Sequence, residues 1–265
     1  MNPSQRPIVT LTTDFGRDSS YVAQMKGVIL SQNPDVCLVD ICHSVSPQDI
    51  RGGALVLAET CHHFPAQTLH VVVVDPGVGT DRRIVFAQVG EQRFVAPDNG
   101  ILTLVAERTA PTLIVEVTNS SFFLPVVNPT FHGRDILAPV AAHLSLGLNP
   151  RQLGNPLQSL ATPPFPRAAG AERQIAGQVV QIDSFGNLIT NITSGDLARV
   201  PAIESATVRC KSVATTGLVV TYGASVPGAL VALVGSSGRL ELAIVNGSAA
   251  ATLAVGLGQQ VLVSW

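Results

Sequence analysis

Short apolar runs alternate with stretches of helical periodicity through about residue 150. The strand-like runs fall at 8–11, 36–41, 69–74, 84–89 and 113–117, and several are apolar throughout, as strands covered on both faces are. In YVAQMKGVILSQ, Val22, Met25, Val28 and Ile29 share one helix face, and Asn33-Pro34 ends the helix. A second helix is predicted over 48–63. A third, over 134–146, turns Ile136, Leu137, Val140, Ala141 and Leu144 inward, with Pro139 kinking it near its start. This alternation predicts an α/β layer structure with a largely parallel sheet as an N-terminal domain over 1–161.

Beyond that point the pattern changes. TPPFPRAAGAER, residues 162–173, is rich in Pro and Ala, has no periodicity and predicts a linker. Short β-like runs follow at 175–182, 206–210, 218–222, 230–234, 240–245 and 260–265, separated by Gly, Pro and Ser turns. They predict a smaller all-β C-terminal domain over 174–265, a barrel or a sandwich.

Composition narrows the function classes. With 265 residues, 46% of them hydrophobic, both domains can build a core without disulfide or metal staples. The formal charge of -2 and 16 scattered basic residues leave no electrostatic footprint for nucleic acid or an anionic membrane, so a small molecule is the expected partner. Cys37, Cys42, Cys61 and Cys210 form no CxxC pair, which favours reduced, mostly buried thiols and a cytoplasmic protein. No stretch reaches the roughly 18 uninterrupted apolar residues of a membrane span. Cys61, His62 and His63 are consecutive on a predicted helix, so their side chains diverge by about 100° each and should not converge on a metal.

Five motifs could carry chemistry. LTTDFG brings Asp14 to the carboxyl end of a strand, where open α/β sheets bind ligands, so it could accept hydrogen bonds from a ribose or cap the following turn. VVVVDPGVGTDRR delivers Asp75 to a strand tip and returns two arginines through a glycine loop. A carboxylate and guanidinium so placed form a hydrogen-bonded ion pair whose acid stays ionised near neutrality, or an ordinary surface pair. GVG lacks the remainder of a dinucleotide or NTP phosphate loop. NPTFHGRD sets Phe131, His132 and a flexible Gly133 before a helix, where the imidazole could act as a base, hold a water, or be an ordinary capping or surface residue. VQIDSFGNLITNI presents Asp183, Phe185, Asn187 and Asn191 at near-alternate positions, as an ammonium anchor, a stacking face and an adenine-reading amide, although SFGN also reads as a hairpin turn. In GSSGRLELAIVNGSAA, Ser236, Ser237, Asn246 and Gly247 sit at turns.

In their order along the chain, LTTDFG, HSVSPQDIRGGA, VVVVDPGVGTDRR, APDNGIL, PTFHGRD, IDSFGNLITNI and LVGSSGRLELAIVNGSAA resemble the SAM hydroxide adenosyltransferase family, relatives of the SAM-dependent fluorinase and chlorinase. The resemblance implies an α/β domain, a C-terminal β-barrel and a homotrimer with sites between subunits. It implies cleavage of S-adenosyl-L-methionine by water to adenosine and methionine, with no cofactor and no metal. Asp75, Arg82 and His132 would activate the water, with Arg83 in reserve for Arg82. Asp14 would hold the ribose hydroxyls and Phe131 pack beside them. Asp183 and Ser237 would take the methionine portion, while Phe185, Asn187, Tyr222 and the Gly247 backbone frame the adenine. The halogenating relatives carry tyrosine in place of Asp75, since a carboxylate repels a halide. The competing readings are a SAM-dependent halogenase and a SAM or nucleoside sensor without turnover.

Overall fold

The computed structural model describes residues 6–265, which divide into two units at Pro163 and Pro164. In the first unit the valine run at 71–74 lies at the centre. Val71 and Val73 enter one core with Met25, Ile29, Val140 and Leu144, whereas Val72 and Val74 enter another with Leu57, Phe94, Ile101 and Val105. Side chains alternate across a strand, so an unbroken apolar run requires cover on both faces. Each fully buried valine contributes about 1.5–3 kcal/mol.

The elements run β1 (Ile8–Thr13), α1 (Ser20–Gln32), β2 (Cys37–Cys42), α2 (Ile50–Thr60), β3 (Leu69–Val73), β4 (Ile84–Val89), β5 (Gln92–Pro97), α3 (Thr103–Arg108), β6 (Pro111–Glu116) and α4 (Ala138–Ser145). The sheet order is β2-β1-β3-β5-β4-β6. Pairs β1–β2, β1–β3 and β3–β5 are parallel, while β4 runs antiparallel to β5 and β6. Strand β5 is the one the apolar pattern misses, because Arg93 interrupts it. That side chain is 8% exposed and is satisfied by the Gln67 carbonyl, at 3.0 Å from Nε and 2.6 Å from Nη2.

The helix expected at 134–146 begins as a π turn, Gly133–Leu137, in which the Ala138 N–H reaches back to the Gly133 carbonyl. Pro139 has no N–H for the Asp135 carbonyl, and the Leu124 N–H takes that acceptor instead at 2.9 Å. The proline therefore anchors the 124–132 loop to the helix. The helix expected over 48–63 shortens at both ends: Gln48 has φ 66° and Asp49 is the cap, while Cys61–His63 tighten into a 3₁₀ turn. There the His62 and His63 rings lie with centroids 4.0 Å apart and planes tilted by 40°, so they do not diverge as helical neighbours would. No group of three or more His, Cys, Asp or Glu able to hold a metal occurs among the described residues. Among the thiols, Cys61 and Cys210 are buried but Cys37 is exposed. No helix among the described residues is long and apolar enough to cross a membrane.

The second unit is a nearly closed antiparallel barrel. Its elements are β7 (Ala169–Ala171), β8 (Gln174–Ile182), β9 (Leu188–Thr193), α5 (Ser194–Leu197), β10 (Thr207–Cys210), β11 (Val213–Thr216), β12 (Leu230–Val234), β13 (Arg239–Ile244), α6 (Ala249–Leu253) and β14 (Gln260–Ser264). The order is β11-β10-β14-β8-β9-β13-β12, with β7 beside β8. Alternate residues Ile175, Val179, Leu188, Ile192, Leu240 and Leu242 fill its interior. Two expectations fail here. Residues 169–171 of the expected linker are a strand, and 218–222 are not one. The strand in this part of the chain is β11, which pairs with β10, while 218–222 meet β12 through the Val219 N–H, which bonds the Ala232 carbonyl at 2.8 Å.

Candidate active site

Strands β1 and β3 are parallel neighbours in register, Thr13 opposite Val73, so their carboxyl ends project Asp14 and Asp75 from the same sheet edge. Asp14 Oδ2 accepts the Gln48 N–H at 2.7 Å. This ties the end of β1 to the loop before α2, whose own cap is Asp49, while Ser19 caps α1. Behind Asp14, the Thr13 hydroxyl lies 2.9 Å from His43 Nδ1, and His43 Nε2 lies 3.0 Å from Asp40. Burial by itself would raise the Asp40 pKa, but hydrogen bonds from Lys26 and His43 hold it below the usual range.

Beyond Val74 the chain turns, and Arg82 folds back onto Asp75. Nε lies 3.0 Å from both carboxylate oxygens and Nη2 lies 2.5 Å from Oδ2. The two side chains are 12% and 5% exposed, so this is not a solvated surface pair. The same Nη2 lies 2.9 Å from His132 Nδ1. Arg83 faces elsewhere, pairing with Asp98, whose other oxygen takes the Ala161 N–H at 2.7 Å. The guanidinium linking Asp75 to His132 is therefore that of Arg82.

Backbone packing brings these loops together. Gly79 has φ 78°, and a Cβ there would collide with the Pro129 carbonyl, so the 75–82 turn lies directly against the loop carrying His132. Gly133 is not a flexible joint. A Cβ on it would stand 3.3 Å from Val73 and 3.4 Å from Met25 and Phe131, wedging His132 against the end of β3.

The Arg82–His132 contact fixes a tautomer. A guanidinium only donates, so Nδ1 is the acceptor and the ring proton resides on Nε2. Burial first, and then the Arg82 charge, lower the His132 pKa, with Asp75 and Asp135 opposing. The imidazole is thus held neutral at physiological pH, with an N–H to offer.

Phe131 joins an aromatic group the motifs did not reveal. Its ring centroid lies 5.7 Å from that of Phe15 and 5.0 Å from that of Tyr21, edge to face, and the Arg134 guanidinium carbon sits 4.9 Å from its own. Asp135, fully buried, secures the loop by accepting from Arg134 Nε at 2.6 Å and the Asn128 N–H at 2.8 Å. Tyr21 was hidden in sequence because it stands off the apolar face of α1. Asn99, in APDNGIL, donates to the Val74 carbonyl at 2.9 Å and fixes the strand end before Asp75.

In the second unit, SFGN is the β8–β9 turn. Asp183 Oδ1 accepts the N–H groups of Phe185 and Asn187 at 2.9 and 2.8 Å, and Oδ2 accepts Asn187 Nδ2 at 2.8 Å. Hairpin and binding readings are therefore compatible: the carboxylate organises the turn, and Phe185 projects with 76% exposure. Gly186 (φ 83°) packs against Ser248, beside the turn at Asn246 and Gly247. Asp183 is close enough for its charge to raise the Tyr222 pKa, behind the larger effects of burial and a hydrogen bond to Glu241. The buried Ser237 hydroxyl has no hydrogen-bond partner among the described residues, which a ligand group could supply. Asn191 is separate from this group: it is 6% exposed, takes the Gln178 N–H and donates to the Pro166 carbonyl.

An α/β unit with a carboxylate, guanidinium and neutral imidazole in one hydrogen-bonded chain, followed by a barrel with an open polar turn cluster, defines a class of two-domain proteins able to orient a small nucleophile. The chain belongs to the SAM hydroxide adenosyltransferase family, whose N-terminal domain matches residues 9–154 and whose C-terminal domain matches 177–262. It is 39% identical to the (R)-S-adenosyl-L-methionine hydrolase of Thermus thermophilus, over 97% of this chain and 98% of that one. Identity to a fluorinase of Nocardia brasiliensis is 31%, over 74% of each chain. The crystal structure of an uncharacterized conserved protein from Thermotoga maritima matches with a TM-score of 0.91 and 36% identity, over 97% of this chain and all of that one.

Proposed function

We propose that the protein hydrolyses S-adenosyl-L-methionine to adenosine and L-methionine by attack of water on the ribose 5′ carbon. The observation that carries this reading is the continuous Asp75–Arg82–His132 hydrogen-bonded set in a chain of this family. The sulfonium is already a good leaving group, so the reaction needs a positioned nucleophile and no acid on sulfur. The His132 Nε2–H donates to the water oxygen, and a remaining lone pair of Asp75 accepts a water proton. As the oxygen–carbon bond forms, the carbon–sulfur bond breaks, its electron pair stays on sulfur, and the water proton passes to Asp75. Arg82 holds the carboxylate and stabilises the developing hydroxide charge.

In the same proposal Asp14 takes the ribose hydroxyls and Phe131 lies beside the ribose. Asp183 and Ser237 receive the methionine ammonium and carboxylate, and Phe185, Asn187, Tyr222 and the Gly247 backbone receive adenine. The protein works as a cytoplasmic homotrimer without metal or redox cofactor, a reading supported by family membership and by chemistry that requires neither. Light scattering should give three times the chain mass, and chelator treatment should leave turnover unchanged.

Incubation with S-adenosyl-L-methionine in water, and separately in concentrated chloride or fluoride, tests the activity, with products separated chromatographically. Adenosine and methionine are expected in all three. Dominant 5′-halo-adenosine would replace this reading with a halogenase, and tight binding without methionine release would replace it with a sensor.

A further inference from the structure

Residues 218–228 form a strap across the outer face of β12 and β13. Its ends are tied by the Val219 N–H to the Ala232 carbonyl and by the Gly228 N–H to the Val245 carbonyl, each at 2.8 Å. Val219 packs on Val231, Leu233, Ala243 and Val245. Between the ties the strap stands out: Val220 is 96% exposed, Val226 73% and Tyr222 41%. A side-chain tie crosses this middle section, where the Tyr222 hydroxyl donates to Glu241 Oε2 at 2.6 Å.

Glu241 is an unusual residue for that place. It sits in the middle of β13, opposite Leu233 on β12 and Ile189 on β9, and is 5% exposed. A carboxylate among aliphatic neighbours is costly to desolvate, so its presence asks for a role. Gly235, in the β12–β13 turn, leaves the room for it, since a Cβ there would overlap Glu241 Oε1. The Tyr222 ring thus has its hydroxyl anchored on the buried Glu241 while the residue stays 41% exposed.

We infer that Glu241 is a positioning residue that fixes the Tyr222 ring, and with it the exposed strap, in the orientation that receives the adenine of the substrate. The inference rests on the reading of S-adenosyl-L-methionine as substrate. Glu241 touches no reacting atom, so its loss acts on binding and not on the chemical step.

The test uses the full-length protein and a double-mutant cycle on KM and kcat. E241A should raise KM for S-adenosyl-L-methionine about tenfold, the scale of one charge-assisted hydrogen bond, with kcat changed less than threefold. Y222F should do the same, and the double variant should be no worse than either single one. E241Q, which keeps an acceptor for the hydroxyl, should restore most of the loss. A KM for E241A within twofold of wild type, or losses that multiply in the double variant, would overturn the assignment. Should E241A not fold, Y222F, which alone removes the hydrogen bond, carries the KM and kcat test beside an ultraviolet titration of the tyrosines in wild type and E241Q. In wild type one of Tyr21 and Tyr222 should ionise well above the ordinary range, chiefly through burial, and E241Q, which removes the Glu241 charge, should lower it part of the way. An unchanged titration would sink the tether. This titration needs no substrate, so it decides the tether even where wild type fails to cleave S-adenosyl-L-methionine, which would instead refute the proposed activity.

Discussion

Gly79→Ala offers a test of the site that leaves every functional side chain in place. Gly79 has φ 78°, in the left-handed region, where alanine costs about 1–2 kcal/mol. The added methyl would also collide with the Pro129 carbonyl, and to regain ordinary contact the two loops must part by roughly 1 Å. These loops carry Arg82 and His132, whose contact is 2.9 Å. Opening it by that amount leaves no hydrogen bond. His132 then loses both its tautomer lock and its position, and a misplacement of this size costs on the order of 100-fold in rate. The expected result is kcat reduced by about two orders of magnitude, KM changed less than about threefold and a melting temperature lowered by roughly 2–6 °C. Adenosine release, followed chromatographically at saturating substrate, gives kcat, and calorimetry gives the melting temperature. A kcat within threefold of wild type, with the melting temperature lowered, would show that the Arg82–His132 contact is not needed for turnover.

Asp75→Ala should retain substrate binding, measured calorimetrically, while turnover falls at least about 100-fold; equal losses of affinity and rate would make Asp75 a binding residue. Arg82→Ala should lose turnover similarly, whereas Arg83→Ala should chiefly lower stability, by about 1–2 kcal/mol, since it leaves the buried Asp98 carboxylate without its cation. Comparable kcat losses in both arginine variants would contradict the assignment of Arg82. His132 is neutral because its pKa is lowered, so kcat/KM should be constant above the ordinary histidine value of 6.5 and decline only at a pH below it; a decline centred above 6.5 would refute the neutral tautomer. His70 is fully buried between Thr10 and Gln92, and its pKa is pushed down to about 4. The unfolded chain therefore binds the proton first. The stabilisation is complete above 6.5 and is lost as pH falls toward 4, at most about 3 kcal/mol, which urea melts of wild type and His70→Gln across that window would detect as a reduced pH slope in the variant.

Periodicity determined much of this protein by itself. The valines at 71–74 could only belong to a strand covered on both faces, the face of α1 was set by Val22, Met25 and Ile29, and the change of texture after residue 161 separated an α/β half from a β half. These features are local, and local apolar spacing is what sequence displays. The order of motifs likewise determined the family, because seven short patterns in register constrain one another where each one separately fits an ordinary turn.

Tertiary structure decided the rest. Arg93 masked β5 because its satisfying carbonyl is 26 residues away in the chain. Residues 218–222 have a strand's composition but form a strap, which meets the free side of β12 through the Val219 N–H and then packs Val219 on the outer face of β12 and β13. Which arginine reaches Asp75, why Gly79 must lack a side chain, how Pro139 ties down the His132 loop and what Tyr222 holds on to all depend on segments distant in sequence. The Asp75, Arg82 and His132 that sequence could only list as candidates become a chain of hydrogen bonds because parallel strands end on one edge and two loops meet without a Cβ between them.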